Sequence, residues 1–160
     1  MGYRIGFGYD LHQLSEKRPL IIGGVQIPFD KGLKGHSDAD VLLHAIADAI
    51  LGAMAAGDIG THFPDTSDKH KDMDSRIILS QVAEMMDKKN YQIENVDSTI
   101  IAEAPKFITF IPGIRKSIAE ILEIDKSQAS VKATTNEKMG YLGEGKAIAV
   151  HAVVLLSSII

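Results

Sequence analysis

Apolar residues cluster in short runs along the chain, and turn-forming residues separate the runs. This pattern is typical of β-strands, and the last run is too apolar to face solvent on both sides. The predicted strands are Arg4–Gly8, Leu20–Ile27, Ile93–Ala102, Val131–Thr135 and Ile148–Leu156.

A second pattern, with apolar residues three and four positions apart, predicts the first helix. The helix follows the turn-rich stretch Pro28–Gly35, and the hydroxyl of Ser37 is expected to cap its first turn. Asp40, three residues further on, would complete a capping box, and Gly57 is expected to end the helix. The apolar residues with this spacing are Val41, Leu42, Ile46, Ile50 and Leu51.

Two more helices are predicted further along the chain. One covers Asp74–Lys88, and the other has Pro112 in its first turn and continues through Leu122. Between the first and second helices, Asp58–Lys71 lacks periodicity and is rich in polar and turn-forming residues, which indicates an exposed loop of a length often used for function. Together these elements predict one α+β domain over residues 1–160, with a mixed β-sheet covered by helices.

Composition excludes several classes of protein. The chain has 160 residues, of which 45% are hydrophobic, and this is enough for one core. Because it has no cysteine, disulfides and cysteine nucleophiles are excluded, and a metal ion must be held by His, Asp or Glu. The net charge of −4 gives no reason to expect a nucleic-acid polymer as partner. No apolar run is long enough to span a membrane and the N-terminus lacks a signal-peptide pattern, so we expect a soluble, cytoplasmic protein.

Two segments carry side chains of the types that bind metal ions. Asp10 and His12 are two positions apart, so in an extended strand they point to the same side. The polar stretch Gly35–Asp40 comes next, and His44 follows one helical turn later. Ordinary alternatives exist for all of them, as solvated side chains, as helix caps and, for His44, as a core histidine. If Asp10, His12 and His44 converge, two imidazoles and one carboxylate would suit zinc and leave a fourth ligand position open.

Two further segments have the chemistry to bind a nucleotide diphosphate. Lys132–Lys138 carries hydroxyls, a carboxylate and two ammonium groups, although an ordinary polar turn has the same composition. Ala102–Phe107 turns at a proline and could expose backbone groups to a base, as many surface turns do. Gly6–Gly8 and Gly23–Gly24 lack the third glycine of a dinucleotide fingerprint. Structural roles are expected for the remaining histidines, His62, His70 and His151.

Taken together, these segments resemble the 2-C-methyl-D-erythritol 2,4-cyclodiphosphate synthase family. They occur in that family's order and spacing from near residue 4 to the C-terminus. The matching stretches are Arg4-Ile5-Gly6 to Asp10-Leu11-His12, Gly35-His36-Ser37-Asp38-Ala39-Asp40 to His44, Gly57-Asp58-Ile59-Gly60, Phe63-Pro64-Asp65-Thr66, Ala102 to Lys106, and Lys132-Ala133-Thr134-Thr135 to Glu137-Lys138.

The resemblance implies an enzyme of the non-mevalonate isoprenoid pathway. Members of the family convert 4-diphosphocytidyl-2-C-methyl-D-erythritol 2-phosphate into 2-C-methyl-D-erythritol 2,4-cyclodiphosphate and CMP, by attack of the 2-phosphate on the β-phosphate. They are metal-dependent phosphorus–oxygen lyases. They are also homotrimers packed around their sheets, with an active site at each junction between subunits, so an isolated monomer is expected to be inactive.

The resemblance also implies roles for individual residues. The implied ligands of zinc, or of a similar divalent metal, are Asp10, His12 and His44. Glu137 would help to bind Mg²⁺ or Mn²⁺ at the diphosphate, while His36 and Thr135 would be catalytic through hydrogen bonds to the developing charge. The implied substrate contacts are Ser37, Asp58, Ile59, Gly60, Phe63, Pro64, Asp65, Thr66, Ser67, Ala102, Pro105, Lys106, Phe107, Ile108, Ala133, Thr134 and Tyr141.

At two positions the chain departs from many members of the family. Ser67 stands where many have a second aspartate. Glu144 stands where many have an arginine, in a segment thought to bind isoprenoid phosphates in the trimer's central channel. Because a glutamate would repel such a ligand, weak or absent binding of isoprenoid diphosphates is expected.

Two other functions would use the same residues. A metal-dependent phosphohydrolase would activate water at the three metal ligands, and a non-catalytic nucleotide-binding module would hold a structural metal with a closed ligand shell. The products separate hydrolysis from cyclisation, and turnover separates an enzyme from a binding module. The long loop Asp58–Lys71 favours an enzyme, because a structural metal site would not need it.

Overall fold

The computed structural model describes residues 2–159, in which strands and helices follow one another along the chain. The strands are β1 Tyr3–Glu16, β2 Leu20–Ile22, β3 Val25–Ile27, β4 Lys31–Leu33, β5 Tyr91–Ile101, β6 Ala129–Thr134 and β7 Ala147–Ser158. The helices are α1 Val41–Ala53, α2 Ile59–His62, α3 Ser75–Lys88, α4 Ile111–Leu122 and α5 Gly140–Gly143. Short 3₁₀ turns lie at Asp68–His70 and Lys126–Gln128.

Five of the strands form a mixed sheet in the order β4-β1-β7-β5-β6. The central strand β7 is antiparallel to β1 and to β5, whereas β5 and β6 are parallel and are joined through α4. Side chains along β7 alternate between the two faces of the sheet, and every second one is fully buried beneath the helices, which fits the central position of this strand. These buried residues are Ile148, Val150, Ala152, Val154 and Leu156.

The three long helices cover one face of this sheet. Helix α1 packs on β1 and β7, α4 packs on β6, and α3 contacts both helices. Glycines in β1 allow α1 to approach the strand backbone closely, since a Cβ atom at Gly8 would lie 1.9 Å from the carbonyl oxygen of Ala45. A Cβ atom at Gly6 would lie 1.8 Å from the carbonyl oxygen of Ala49. The close approach of α1 to β1 therefore depends on both glycines.

The opposite face of the sheet carries exposed apolar side chains. On β1, Ile5 is 73% exposed and Phe7 is 57% exposed, and the neighbouring side chains of Tyr9 and Val153 are also exposed. Helix α5 covers one end of this face, where Leu142 packs against β7. An exposed apolar surface of this kind is typical of a contact with another protein surface.

The predicted fold class is confirmed, because the described residues form one α+β domain with a mixed sheet and helices packed on it. The helices predicted at Asp74–Lys88 and from Pro112 to Leu122 correspond to α3 and α4. None of the helices within residues 2–159 is both long and apolar enough to cross a bilayer.

Two of the predicted strands differ from the structure. The opening strand continues to Glu16, because β7 pairs with it as far as Gln13 and β4 pairs with its last residues. Asp10 and His12 therefore lie inside a long strand. The predicted strand Leu20–Ile27 is a hairpin, β2 and β3, because its two glycines adopt the positive φ angles that a two-residue turn requires.

The predictions for the helix start and for the loop also differ from the structure. Asp40, rather than Ser37, caps α1, and its carboxylate accepts a hydrogen bond from the N–H of Leu43 at 3.1 Å. The loop Asp58–Lys71 contains α2 and a 3₁₀ turn. Asp58 caps the start of α2, where its side chain accepts a hydrogen bond from the N–H of Thr61. Helix α5 was not predicted, because four residues are too few to show a helical repeat.

The substitution Gly8→Ala tests the close packing of α1 on β1. We expect it to lower the free energy of unfolding by about 3 kcal/mol or more, because the new methyl group would overlap the backbone of α1. Gly52→Ala, at an exposed position of α1, is the matched control, since its Cβ atom would meet nothing closer than 3.8 Å, and a gain of up to about 1 kcal/mol is expected. Denaturant unfolding measures both, and equal stabilities would contradict the proposed packing.

Candidate active site

Three side chains from β1 and α1 converge at one end of the sheet. The Asp10 carboxylate oxygen Oδ2 lies 2.9 Å from Nε2 of His12 and 3.2 Å from Nδ1 of His44. The two imidazole nitrogens are 3.4 Å apart. The strand and helix pattern explains the convergence, because Asp10 and His12 share the face of β1 on which α1 packs.

The three facing atoms form a site that attracts positive charge. Nδ1 of His12 lies 3.0 Å from the carbonyl oxygen of Lys34, to which it can only donate, so the lone pair of Nε2 faces Asp10. Burial disfavours the charged form of Asp10, but its contacts with His12 and His44 together outweigh burial and lower the pKa of Asp10 to about 2. Burial likewise opposes the charge of His12, but the protonated ring, unlike the neutral one, can donate a hydrogen bond from Nε2 to Asp10, so the pKa of His12 is raised.

These three residues form one wall of a cavity of about 260 Å³, here called the metal-site cavity. The predicted residues that line it come from three segments of the chain, which the fold brings together. They are Asp10, His12, His36, Ser37, His44, Ile59, Gly60, Phe63 and Asp65. Tyr9, Gly35, Asp48, His70 and Ile78 complete the lining.

The loop between α1 and α3 covers this cavity and is held by hydrogen bonds. Asp48 of α1 accepts a hydrogen bond from the N–H of Ile59 at 3.0 Å, and this contact fixes the start of α2. Nε2 of His36 lies 3.4 Å from the carbonyl oxygen of Ser67. His70, for which a structural role was expected, lines the cavity, and its ring packs edge-on against Phe63.

Three other predicted residues of this loop, Asp58, Pro64 and Thr66, are not among the residues that line the metal-site cavity. The Asp58 carboxylate caps α2, and its hydrogen bonds with Thr61 lower the pKa of Asp58. The carbonyl oxygen of Pro64 lies 3.2 Å from Nδ1 of His70, and Thr66 is exposed beside it.

A second surface site lies where β5 and β6 end. Here the chain forms a cavity of about 540 Å³, here called the loop cavity, which combines apolar and polar groups. It is lined by Thr135, which was predicted to be catalytic, and by all the substrate contacts predicted in this part of the chain, namely Ala102, Pro105, Lys106, Phe107, Ile108, Ala133 and Thr134.

Glu137 lies beside the loop cavity in an adjoining one, together with Thr135, Lys138 and Glu103. The Glu103 carboxylate accepts a hydrogen bond from the N–H of Lys138 at 2.6 Å. This bond connects the loop that follows β5 to the loop that follows β6. The Thr135 hydroxyl accepts a hydrogen bond from the N–H of Glu137 at 3.2 Å. The loop thus holds the Glu137 side chain at the exposed rim.

Within one chain, the metal-site cavity and the loop cavity are far apart. Asp10 pairs with Val150, Val150 pairs with Ile100, and Ile100 pairs with Ala133. Three steps between neighbouring strands correspond to about 14 Å. The two cavities share no lining residue.

Several residues around the site were missed or assigned only a local role. Ser75 and Asp38 contact each other behind His44, and Asp48 holds the covering loop. By contrast, Tyr141 of α5 was predicted as a substrate contact; it is hydrogen-bonded to Tyr9, and burial together with this hydrogen bond raises the pKa of Tyr9. Pairs that are distant in sequence, such as Asp38 and Ser75, leave no pattern that a sequence alone reveals.

Comparison with known proteins identifies the family of this chain. The YgbB family model matches residues 3–157. A 2-C-methyl-D-erythritol 2,4-cyclodiphosphate synthase from Geobacillus sp. (strain WCH70) is 58% identical over 154 residues, which is 96% of this chain and 98% of that protein. The enzyme of the same name from Prosthecochloris aestuarii is 58% identical over 153 residues, again 96% of this chain and 98% of that protein.

Solved structures are also similar. The bifunctional IspDF of Campylobacter jejuni has a TM-score of 0.96 and 40% identity; the match covers 99% of this chain but only 43% of that longer protein. A complex of Plasmodium falciparum IspF with CDP has a TM-score of 0.88 and 42% identity, and the match covers 99% of this chain and 98% of that one. The chain is therefore a member of the YgbB family, whose relatives at this level of identity are 2-C-methyl-D-erythritol 2,4-cyclodiphosphate synthases.

Proposed function

We propose that this protein converts 4-diphosphocytidyl-2-C-methyl-D-erythritol 2-phosphate into 2-C-methyl-D-erythritol 2,4-cyclodiphosphate and CMP. The observation that carries the proposal is the convergence of Asp10, His12 and His44 at the wall of a cavity that is open to a ligand. The names of the relatives identify the reaction. The cytoplasmic location expected from the sequence stays a prediction.

Zinc is the metal that best suits the three converging side chains. Two imidazole nitrogens and one carboxylate oxygen are a donor set typical of catalytic zinc sites, which keep one position free for water or substrate. The three atoms lie within 4.8 Å of one another, close enough to share one ion. A zinc ion bound there would act as a Lewis acid on a phosphate oxygen of the substrate.

The residues of the chain would mainly position two negatively charged groups. The attacking 2-phosphate is already an anion, so no strong general base is needed. Its oxygen forms a bond to the β-phosphorus while the bond from the β-phosphorus to the oxygen of the α-phosphate breaks, and CMP leaves with that oxygen. His36 and Ser37 line the metal-site cavity and would hold the methylerythritol part. His36 and Thr135 would donate hydrogen bonds to the charge that develops.

The exposed rim around Glu137 suits a second divalent ion. A carboxylate is a ligand that Mg²⁺ and Mn²⁺ accept, and these ions usually keep water and substrate phosphate oxygens as their other ligands. Thr135 and Lys138 beside it add a hydroxyl and a positive charge for the diphosphate. We therefore propose that Glu137 binds Mg²⁺ or Mn²⁺ together with the substrate.

The loop cavity suits a cytosine base and its ribose. Phe107 is buried and supplies an apolar wall, while the exposed Lys106 and Thr134 supply polar contacts. The complex of the Plasmodium falciparum relative contains CDP, which supports a cytidine site. This proposal includes Ala102, Pro105, Ile108 and Ala133 as further contacts.

We also propose that the protein is a homotrimer whose active sites form between subunits. The separation of the metal-site cavity from the loop cavity within one chain, about 14 Å, supports this, since one substrate must reach both. The exposed apolar face with Ile5 and Phe7 supports it as well, because association would remove that face from water.

Incubation with the cytidine-linked substrate tests the reaction itself. We expect CMP and the cyclic diphosphate in equal amounts, and loss of both when a chelator removes the divalent metals. Separation of the products by chromatography and ³¹P NMR measures this. An open phosphate product would indicate a phosphohydrolase instead, and binding without turnover would indicate a nucleotide-binding module.

The substitution His44→Ala tests the zinc site. We expect loss of bound zinc and of activity in a protein that remains folded, because His44 is only partly buried and the change removes a ligand rather than core volume. Metal analysis and circular dichroism measure the two effects. His62→Ala, which also removes a partly buried imidazole, should keep its zinc. Full activity in His44→Ala would contradict the assignment.

The substitution Glu137→Gln tests the second metal site. We expect zinc content to remain unchanged while turnover falls by at least about tenfold at low magnesium, because the amide is a much weaker ligand for Mg²⁺. Steady-state rates over a magnesium titration measure this. Glu120→Gln on the exposed side of α4 is the control for loss of one surface carboxylate. A Glu137→Gln rate equal to that of the control would remove the proposed role.

The substitution Phe7→Asp tests the trimer. A charge placed on the apolar sheet face should dissociate the trimer and abolish activity, because burying an unpaired carboxylate is strongly unfavourable. Sedimentation velocity measures whether the protein is a trimer or a monomer. Ile77→Asp on α3, where the side chain is 49% exposed, should leave the trimer intact. An active trimer of the Phe7→Asp protein would contradict the proposed interface.

A further inference from the structure

A row of polar contacts continues behind His44, on the side away from Asp10. Nε2 of His44 lies 2.8 Å from the hydroxyl oxygen of Ser75, and that hydroxyl is hydrogen-bonded to the Asp38 carboxylate. Ser75 is the first residue of α3 and is 1% exposed. These contacts join the start of α3 to the ring of His44 on α1.

From this geometry we infer that Asp38 and Ser75 are positioning residues that fix the tautomer and the orientation of His44. The inference rests on the metal site proposed above. Neither residue faces the metal-site cavity as a ligand, so both would act through His44.

The direction of the hydrogen bonds follows from the number of donors. A carboxylate can only accept, and Asp38 already accepts hydrogen bonds from the N–H groups of Ser75, at 3.0 Å, and of Asp40, at 3.1 Å. A serine hydroxyl has one proton, and next to this carboxylate it donates that proton to Asp38. The Ser75 oxygen can then only accept a hydrogen bond from His44.

The tautomer of His44 follows from this order. If Ser75 accepts, Nε2 of His44 carries the proton, and in a neutral imidazole Nδ1 is then unprotonated. Nδ1 is the atom that faces Asp10 and His12. The Asp38 and Ser75 pair therefore presents to the site the nitrogen that can bind a metal ion.

Burial makes Ser75 hard to replace in this role. Because Ser75 is almost fully buried, removal of its hydroxyl leaves little room for a water molecule to take its place. The Ser37 hydroxyl is the other group near Nε2 of His44, at 3.3 Å. The Ser37 hydroxyl is thus farther from Nε2 of His44 than the Ser75 hydroxyl is. It also accepts a hydrogen bond from the N–H of Ala39, at 3.3 Å.

Zinc affinity of the full-length Ser75→Ala protein tests the inference, measured by competition with a chelator of known affinity. We expect zinc to bind about tenfold to hundredfold more weakly than in the unsubstituted protein. Ser98→Ala is the matched control, because it removes an equally buried hydroxyl that donates to the carbonyl oxygen of Ser130 at 3.0 Å, far from the site. It should bind zinc as the unsubstituted protein does.

A second measurement does not depend on the folding of a variant. In ¹⁵N-labelled, zinc-loaded, unsubstituted protein, NMR should show His44 bound to zinc through Nδ1, with a slowly exchanging proton on Nε2. Ser75→Ala should lose the slow exchange. A proton-free Nε2, or coordination through Nε2, would overturn the inference.

The outcomes separate this inference from the proposed function. If the unsubstituted protein binds zinc and Ser75→Ala binds it as tightly as Ser98→Ala does, the positioning role is overturned and the metal site remains. If the proton on Nε2 responds to Ser37→Ala but not to Ser75→Ala, Ser37 is the acceptor and the inference is likewise overturned. An unsubstituted protein that binds no zinc would contradict the metal site itself.

Discussion

Electron-rich atoms that face one another at hydrogen-bond distance repel unless they share a proton or a cation. In the second half of β1 the Asp10 carboxylate meets Nε2 of His12 and Nδ1 of His44, and the lowered pKa of Asp10 together with the raised pKa of His12 shows that the site favours a positive charge. A divalent ion would meet this demand better than a single proton, and it could bind a phosphate oxygen as well.

The geometry of this site depends on one close contact between a helix and a strand. Gly6 and Gly8 allow α1 to lie against the β1 backbone, and on the same face of the strand Asp10 and His12 then come within reach of His44. Bulkier residues at the two glycines would move α1 away and separate the ligands. The stability of the fold and the proposed metal binding therefore depend on the same two positions.

Much of this could be predicted from the sequence, because the relevant patterns are local. The two-residue spacing of Asp10 and His12, and the position of His44 one turn into a helix, are visible along the chain, and α3 and α4 follow from their apolar repeats. The Gly23–Gly24 turn was not predicted, although two consecutive glycines between apolar runs are a local hairpin signal. The length of β1 and the contact between Asp38 and Ser75 were not predicted either, because they depend on strand pairing and on packing between residues distant in sequence, which no local pattern encodes.

X-ray absorption of the zinc-loaded protein, before and after addition of CDP, tests the central claim most directly. We expect a first shell with two imidazole nitrogens at about 2.0–2.1 Å, one carboxylate oxygen and one exchangeable light atom. Addition of CDP should replace that atom with a phosphate oxygen, and scattering from phosphorus should then appear. A shell that is closed by protein ligands and does not respond to CDP, or the absence of ordered zinc, would contradict the account.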